Sequence, residues 1–176
     1  MLRVLLAALG ATFGWWLGIL AGSTIGGAVG WFATPLAGRL VGGLCAGLIG
    51  GAIESSTNAS TRGKRLRFAG ATALVTAAVT VLLLDVQSMP WLVGGVFGAA
   101  ISLAQARALG LARRDAVLRV LTSATAWSLG FFVLQAGGTW GKLGVSAPGL
   151  AAVALALASS RRVRGWTTRS ATSSFA

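Results

Sequence analysis

The sequence predicts an all-α integral membrane protein of about six transmembrane helices, built from three two-helix repeats. Three observations predict this fold class: long uncharged apolar runs, an internal repeat, and a one-sided distribution of Lys and Arg. Of the 176 residues, 55% are hydrophobic and only 10% are charged, whereas soluble domains carry roughly 25% charged residues. Too few ionisable groups are present to cover a surface that faces water.

Six apolar segments are at or near the roughly 20 residues that cross a bilayer core as a helix. Helices are expected because every backbone amide in hydrocarbon must be hydrogen-bonded internally, and the alternating polarity of a transmembrane strand is missing. No signal-peptide cleavage pattern follows Arg3, so the first segment is expected to remain as a span. The prediction of a span is weakest for the segment 22–38. Its glycines are compatible with a span, with a re-entrant segment or with a segment at the membrane interface. The predicted spans are 3–22, 36–54, 68–84, 91–107, 117–136 and 146–160.

A two-helix unit repeats along the chain. The segment 41–52, VGGLCAGLIGGA, aligns without a gap with 93–104, VGGVFGAAISLA, and at the same offset Arg67 falls on Arg119. A fainter third copy begins at Gly149. These alignments predict a transmembrane bundle over 1–160, with repeats of approximately 1–67, 68–119 and 120–164, and a basic cytoplasmic tail over 161–176.

The basic residues predict the orientation of this bundle. If both termini lie on one face, that face receives thirteen of the fifteen Lys and Arg, and the other receives only Arg39 and Lys142. Such an excess marks the cytoplasmic side, where basic loops and the tail are expected to contact anionic lipid head groups. Tryptophans suit the membrane–water interface. The predicted interfacial anchors are Trp31, Trp91, Trp140 and Trp166.

The glycine-rich stretches are predicted to pack helices together. A phosphate-binding loop needs a Lys and a hydroxyl directly after its glycines, and a dinucleotide fingerprint needs a preceding strand and a later acidic residue; neither pattern is found. Glycines three or four residues apart instead place small residues on one helix face, where two backbones can approach closely. The predicted packing residues are Gly42, Gly43, Gly47, Gly50, Gly51, Gly94, Gly95 and Gly98.

Four polar residues are candidates for a polar or ligand contact, because an ionisable group in a bilayer is kept only where it is paired or hydrated. Glu54 and Asp85 lie near predicted span ends, so each is either a solvated or locally paired carboxylate or a functional one. Arg39 either extends its side chain to the interface, or contacts an anion, a lipid head group or Asp85. Gln105 is explained as an interhelical hydrogen-bonding residue.

The chain contains few of the residue types that form catalytic and metal sites. The chain has no histidine, one cysteine and three carboxylates, so no acid–base pair, catalytic triad, metal cluster or haem ligand is visible. We therefore expect no enzyme, no cofactor and no metal site. A net charge of +12 invites nucleic-acid binding, but the basic clusters lie between apolar runs without interleaved aromatic residues, so none is expected.

The helix 95–109, GVFGAAISLAQARAL, followed by 124–130, ATAWSLG, resembles a group of small bacterial multipass membrane proteins without an assigned activity. In that group a glycine-rich helix ends in Gln-Trp-x-x-Leu-Arg; here Ala106 stands where the Trp would be. The resemblance implies a bacterial cytoplasmic membrane.

Two functions stay open. The first is a non-catalytic subunit that packs against other integral membrane proteins or itself through its glycine faces. The second is a small transporter or channel with a pathway at the repeat interface.

Overall fold

A computed structural model describes residues 2–83 and 89–135, together with Gly149 and Val153. These residues form five long helices and contain no strand, which confirms the all-α prediction. The helices are α1 (Leu2–Phe32), α2 (Pro35–Asn58), α3 (Arg62–Leu83), α4 (Pro90–Leu109) and α5 (Arg113–Gln135).

The helix boundaries differ from the predicted spans at several places. The segment 22–38 is divided between two helices, because α1 continues through its first part to Phe32 and α2 begins at Pro35; its position in a membrane stays a prediction. Helices α3 and α5 begin in their basic stretches, at Arg62 and Arg113, because Lys and Arg are good helix formers. The predicted span 146–160 and the tail 161–176 lie outside the described residues, apart from Gly149 and Val153. Six helices and three repeats therefore stay predictions.

Local chemistry explains the sharp breaks between helices. Thr34 is extended, as the residue before a proline prefers, and its hydroxyl accepts a hydrogen bond from the Ala37 amide at 3.1 Å. Pro35 and Pro90 begin α2 and α4, where the missing N–H costs nothing. Gly110 ends α4 in the left-handed conformation, with φ 67°, which a glycine adopts without steric cost.

Each helix packs antiparallel against the next one in the chain. Helix α1 carries a glycine at every fourth position from Gly10 to Gly30, and this stripe lies directly on the backbone of α2. A Cβ added at Gly22 would come within 2.9 Å of the Ala46 Cβ, and one at Gly26 within 2.8 Å of the Gly42 Cα. Only a hydrogen fits between these two helices, so they approach more closely than larger side chains would allow.

The bundle has two chemically different ends. The basic end holds the C-termini of α2 and α4 and the N-termini of α3 and α5, with exposed arginines such as Arg65, Arg107 and Arg113. The proline end holds the break at Pro35 and the start of α4 at Pro90. Between the two ends, the outer surface is covered by exposed leucine and phenylalanine side chains.

All five helices are long and apolar enough to cross a membrane. Large apolar side chains are also exposed on their outer faces, including Leu74 at 67%, Leu82 at 72% and Leu121 at 60%. A soluble monomer rarely exposes such continuous apolar surface. The described part of the chain is therefore compatible with an integral membrane protein.

Candidate functional site

Most of the predicted packing glycines lie inside the bundle. Helix α2 has two glycine faces: Gly42 and Gly50 lie against α1, whereas Gly43, Gly47 and Gly51 lie against α3. On α4, Gly94 and Gly98 lie against α5, and Gly95 has ordinary contacts only, since its added Cβ would be 3.9 Å from Ser128. The closely packed glycines therefore hold helices of one chain together.

Close helix packing brings five side chains, one from each helix, into a polar cluster in the half of the bundle nearest the basic end. The polar cluster consists of Trp15 (α1), Glu54 (α2), Thr72 (α3), Gln105 (α4) and Arg119 (α5). Glu54 and Gln105 each precede the last residue of their helix by four positions, or about 6 Å at the 1.5 Å rise of a helix. The cluster therefore lies inside the bundle and not on its end surface.

Glu54 is the acceptor at the centre of the polar cluster. Its Oε1 forms an ion pair with Arg119 Nη2 at 2.8 Å. Its Oε2 accepts hydrogen bonds from Trp15 Nε1 and Gln105 Nε2, each at 3.2 Å. The Glu54 side chain is 12% exposed, and that of its partner Arg119 is 11% exposed. A carboxylate buried in this way is stable only because several donors replace its hydration.

Gln105 joins the ion pair to α3. Its Oε1 accepts a hydrogen bond from Arg119 Nη2 at 2.9 Å, and its Nε2 also donates to Thr72 Oγ1 at 3.3 Å. Thr72 in turn donates to the Phe68 carbonyl oxygen at 2.8 Å. The guanidinium carbon of Arg119 lies 5.6 Å from the Phe68 ring centroid, which adds a cation–π attraction. One interaction network thus connects all five helices.

An aromatic layer lies next to the polar cluster. It consists of Trp15, Phe97, Trp127 and Phe131, which pack mainly edge to face. The ring centroids of Phe97 and Trp127 are 4.8 Å apart, and those of Trp15 and Trp127 are 5.2 Å apart. Trp15 belongs to both groups, because its Nε1 donates to Glu54 while its ring packs on Phe97. The aromatic layer separates the polar cluster from the proline end.

Between the aromatic layer and the proline end, the bundle holds a cavity of about 700 Å³, which we call the cleft. One wall is the second half of α1 and the first half of α2, where glycines leave the helix surfaces bare. The opposite wall comes from α3, α4 and α5. The residues of the opposite wall are Thr76, Val79, Thr80, Leu83, Val93, Phe97, Trp127 and Phe131.

The cleft is almost wholly apolar, with few polar side chains along its walls. Arg39 and Trp31 line it near the proline end, and Arg39 is the only Lys or Arg among its lining residues in the described part of the chain. Thr76 lines it deeper in the bundle. The Thr76 hydroxyl oxygen is buried and has no hydrogen-bond partner within the described residues.

The predicted contact residues have separate positions. Glu54 and Gln105 meet in the polar cluster, where Glu54 is locally paired, and Arg39 is half-buried beside the cleft. Asp85 lies outside the described residues, so an Arg39–Asp85 contact stays a prediction. Among the predicted anchors, Trp31 and Trp91 are exposed, at 86% and 53%, at the proline end. Trp140 and Trp166 also lie outside the described residues.

Sequence reasoning missed Trp15, Thr72, Thr76 and Arg119. The charge count places Arg119 with the basic loops, but it lies six residues inside α5 and is nearly buried. One signal points to it: the segment 116–121 is otherwise apolar, so a lone arginine there faces either lipid or a partner inside the bundle. No comparable signal identifies Trp15, since seven tryptophans occur in the chain.

Within residues 2–83 and 89–135, no group of three metal-ligating side chains comes together. Comparisons with protein-family models, with curated proteins and with solved structures found no match for this chain. The function is therefore argued from the geometry of the polar cluster and the cleft.

Proposed function

We propose that the chain is a non-catalytic integral membrane protein that binds the hydrocarbon part of a bilayer lipid in the cleft. The observation that carries this proposal is the cleft itself, an apolar cavity of about 700 Å³ between α1–α2 and α3–α5. Its volume lies within the roughly 300–1,000 Å³ of ligand-binding pockets. It also lies between the first predicted repeat and the remaining helices, which is where repeat-built membrane proteins place their binding sites.

The chemistry of the walls favours a lipid over an ion or a sugar. An ion or sugar would need many polar groups to replace its hydration, whereas this cleft is lined mainly by Gly, Val, Leu and aromatic side chains. The hydrocarbon chain of a lipid is the apolar molecule that surrounds a bundle in a bilayer. A solute pathway at the repeat interface, the alternative expected from the sequence, is therefore less well supported than lipid binding.

We place the basic end on the cytoplasmic side of a bacterial inner membrane. The exposed arginines of the basic end, including Arg62, Arg65 and Arg67 on α3 and Arg113 and Arg114 on α5, follow the positive-inside pattern. They would contact anionic lipid head groups, each worth about 1 kcal/mol near the membrane surface. The cleft then opens in the half of the bundle that lies toward the external side.

Gly27 provides a direct test of lipid binding. It lines the cleft, and a Cβ added there would meet nothing within 4 Å, so Gly27→Phe adds an aromatic ring at the cleft wall without disturbing a helix contact. Gly70→Phe is the matched control, because Gly70 is also a helical glycine with open space at its Cβ but does not line the cleft.

The experiment is native mass spectrometry of the full chain released from mild detergent. The proposal predicts that the wild type and Gly70→Phe retain a bound lipid, and that Gly27→Phe loses it. If all three proteins carry the same lipids, or if none carries any, the proposal is wrong.

A subunit of a larger membrane assembly is the second candidate function. Ser23 and Gly27, which are four residues apart on α1, both line the cleft, and this is the small-residue spacing that admits a neighbouring helix. In the described part of the chain, the closely packed glycines of the α1–α2, α2–α3 and α4–α5 contacts are used within the chain, so this spacing beside the cleft is the candidate contact with a partner protein or a second copy. Purification in mild detergent with a stoichiometric integral membrane partner, lost in Gly27→Phe, would favour this function over lipid binding.

A further inference from the structure

In the described part of the chain, one charged residue lines the cleft, and it lies near one end. That residue is Arg39, and the lining residues of the described part include no Asp or Glu. Arg39 follows Pro35, the first residue of α2, by four positions, or about 6 Å along the helix. The walls described here therefore combine a positive charge near the proline end with an apolar interior.

The position of Arg39 suits the head group of a lipid. Trp31 also lines the cleft near the proline end and is 86% exposed, and tryptophans of this kind are typical of the membrane–water interface. From Trp31 the α1 wall continues back to Trp15, which is about 24 Å of helix. One leaflet contributes about 15 Å of hydrocarbon, so a lipid chain that enters beside Trp31 can lie along this wall.

The side chain of arginine recognises carboxylate and phosphate groups in particular. Its planar guanidinium presents N–H donors in a fork that matches the paired oxygens of these anions. It has donors for more than one partner, so a contact of Arg39 within the protein leaves donors for a ligand. A small free anion would gain nothing from the apolar walls, whereas a lipid with an anionic head group would contact both the arginine and the walls.

From this charge complementarity we infer that the cleft binds an anionic lipid in preference to a neutral one. Arg39 would bind its head group, either the carboxylate of a fatty acid or the phosphate of a phospholipid. The hydrocarbon chain would extend along the glycines of α1 and α2 toward the aromatic layer. This inference rests on the proposed function, because it names the class of lipid that the cleft binds.

Three probes with the same hydrocarbon chain separate recognition of the anion from simple filling of the cleft. Hexadecyl phosphate carries a phosphate, hexadecanoate a carboxylate, and hexadecanol a neutral hydroxyl. Binding of each probe to the full chain is measured by titration in native mass spectrometry, at a pH that ionises both acids. The variants are Arg39→Gln, which removes the charge, Arg39→Lys, which keeps it, and Gly27→Phe. Arg107→Gln is the matched control, because Arg107 is an exposed arginine at the basic end and does not line the cleft.

The inference predicts that the wild type binds both anionic probes more tightly than hexadecanol. Arg39→Gln should weaken binding of both anions by about tenfold, as expected for loss of a charge-assisted hydrogen bond, and leave hexadecanol binding unchanged. Arg39→Lys should keep part of the wild-type affinity, since it retains the charge but not the planar fork. Arg107→Gln should bind all three probes as the wild type does. Tighter binding of hexadecanoate would identify a fatty acid as the ligand, and tighter binding of hexadecyl phosphate a phospholipid.

The possible failures are distinguishable. If the wild type and Arg39→Gln bind all three probes alike and Gly27→Phe weakens all of them, the cleft binds hydrocarbon chains but the inference about the anion is wrong. If Arg107→Gln weakens the anions as much as Arg39→Gln does, the net charge of the protein attracts them, and the inference is also wrong. If Arg39→Gln loses hexadecanol as well, Arg39 supports the shape of the cleft, and the inference fails. If no probe binds the wild type more tightly than Gly27→Phe, both the inference and the proposed function are overturned.

Discussion

The same five helices form the polar cluster and the cleft. In the polar cluster the helices are joined by hydrogen bonds, whereas in the cleft there is open space between them. In the polar cluster, Glu54 of α2 accepts hydrogen bonds from α1, α4 and α5, and Gln105 adds a bond to Thr72 of α3, so all five helices are joined. In the cleft, the glycine-rich surface of α1 and α2 borders open space that apolar side chains of α3, α4 and α5 close on the other side. The comparison teaches that polar contacts join all five helices in one half of the bundle, whereas the other half combines close glycine contacts between α1 and α2 with open space beside them.

Removal of the charge opposite Glu54 is expected to produce the largest effect. Arg119→Leu leaves a buried carboxylate without its cation, which costs about 3–5 kcal/mol in the free energy of unfolding. The double variant Glu54→Leu with Arg119→Leu removes both charges and should recover most of that loss. Unfolding of the full chain in detergent, followed by tryptophan fluorescence, measures both effects.

Arg107→Leu is the control for this prediction, because Arg107 is an exposed arginine in the last turn of α4. It should change the free energy of unfolding by less than about 0.5 kcal/mol. An Arg119→Leu protein as stable as Arg107→Leu would show that the polar cluster does not hold the bundle together.

The next largest effect is expected at the α2–α3 contact that fixes the bundle beside the cleft. A Cβ added at Gly47 would lie 2.7 Å from the Ala73 Cα, so Gly47→Ala must push the two backbones apart and should cost about 1–3 kcal/mol. Gly70→Ala makes the same chemical change in open space and should stabilise the helix by up to about 1 kcal/mol. Paired unfolding curves test the opposite signs, and equal effects would contradict the packing.

A smaller effect is expected where the two regions meet. Trp15→Phe keeps an aromatic ring in the layer but removes the Nε1 donor to Glu54, so it should cost about 1 kcal/mol. In combination with Glu54→Leu the two losses should not add fully, because both variants remove the hydrogen bond between Trp15 and Glu54, one of several that Glu54 accepts. A double-mutant cycle measures this coupling, and full additivity would mean that the bond contributes nothing.

The smallest effect on stability is expected inside the cleft. Gly27→Phe meets no neighbour at its Cβ, so the free energy of unfolding should change by less than about 0.5 kcal/mol, although ligand binding is lost. If this variant is instead as unstable as Gly47→Ala, the cleft is a packed contact and not an open site.

The sequence predicts the fold class well because helix formation in a membrane depends on local hydropathy. The runs that make α2 to α5 are visible as apolar segments, and the glycine spacing of α2 by itself indicates close helix packing. The first predicted span ends at residue 22, ten residues short of the end of α1 at Phe32, since the later glycines lower the apparent helicity. The regular four-residue spacing of glycines from Gly10 to Gly30 is the signal that α1 continues.

The polar cluster and the cleft are not predictable in the same way. Glu54 and Gln105 are each visible in the sequence as isolated polar residues, but they are 51 residues apart, and only the order of helices in the bundle brings them together. The internal repeat is misleading for Arg119, because it aligns with Arg67, which is exposed on α3. Two residues in equivalent positions along a repeat can face opposite sides once each helix has packed against different neighbours.

The most direct test of the central claim is to map where a lipid touches the protein. The full chain in bilayer vesicles is labelled with a phospholipid that carries a diazirine in its acyl chain, and modified residues are identified by peptide mass spectrometry. Val79 and Phe97 line the cleft and are only 9% and 8% exposed, whereas Leu82 faces outward at 72%. We predict labelling at all three residues in the wild type, and at Leu82 alone in Gly27→Phe. Labelling of Leu82 alone in the wild type would contradict the account.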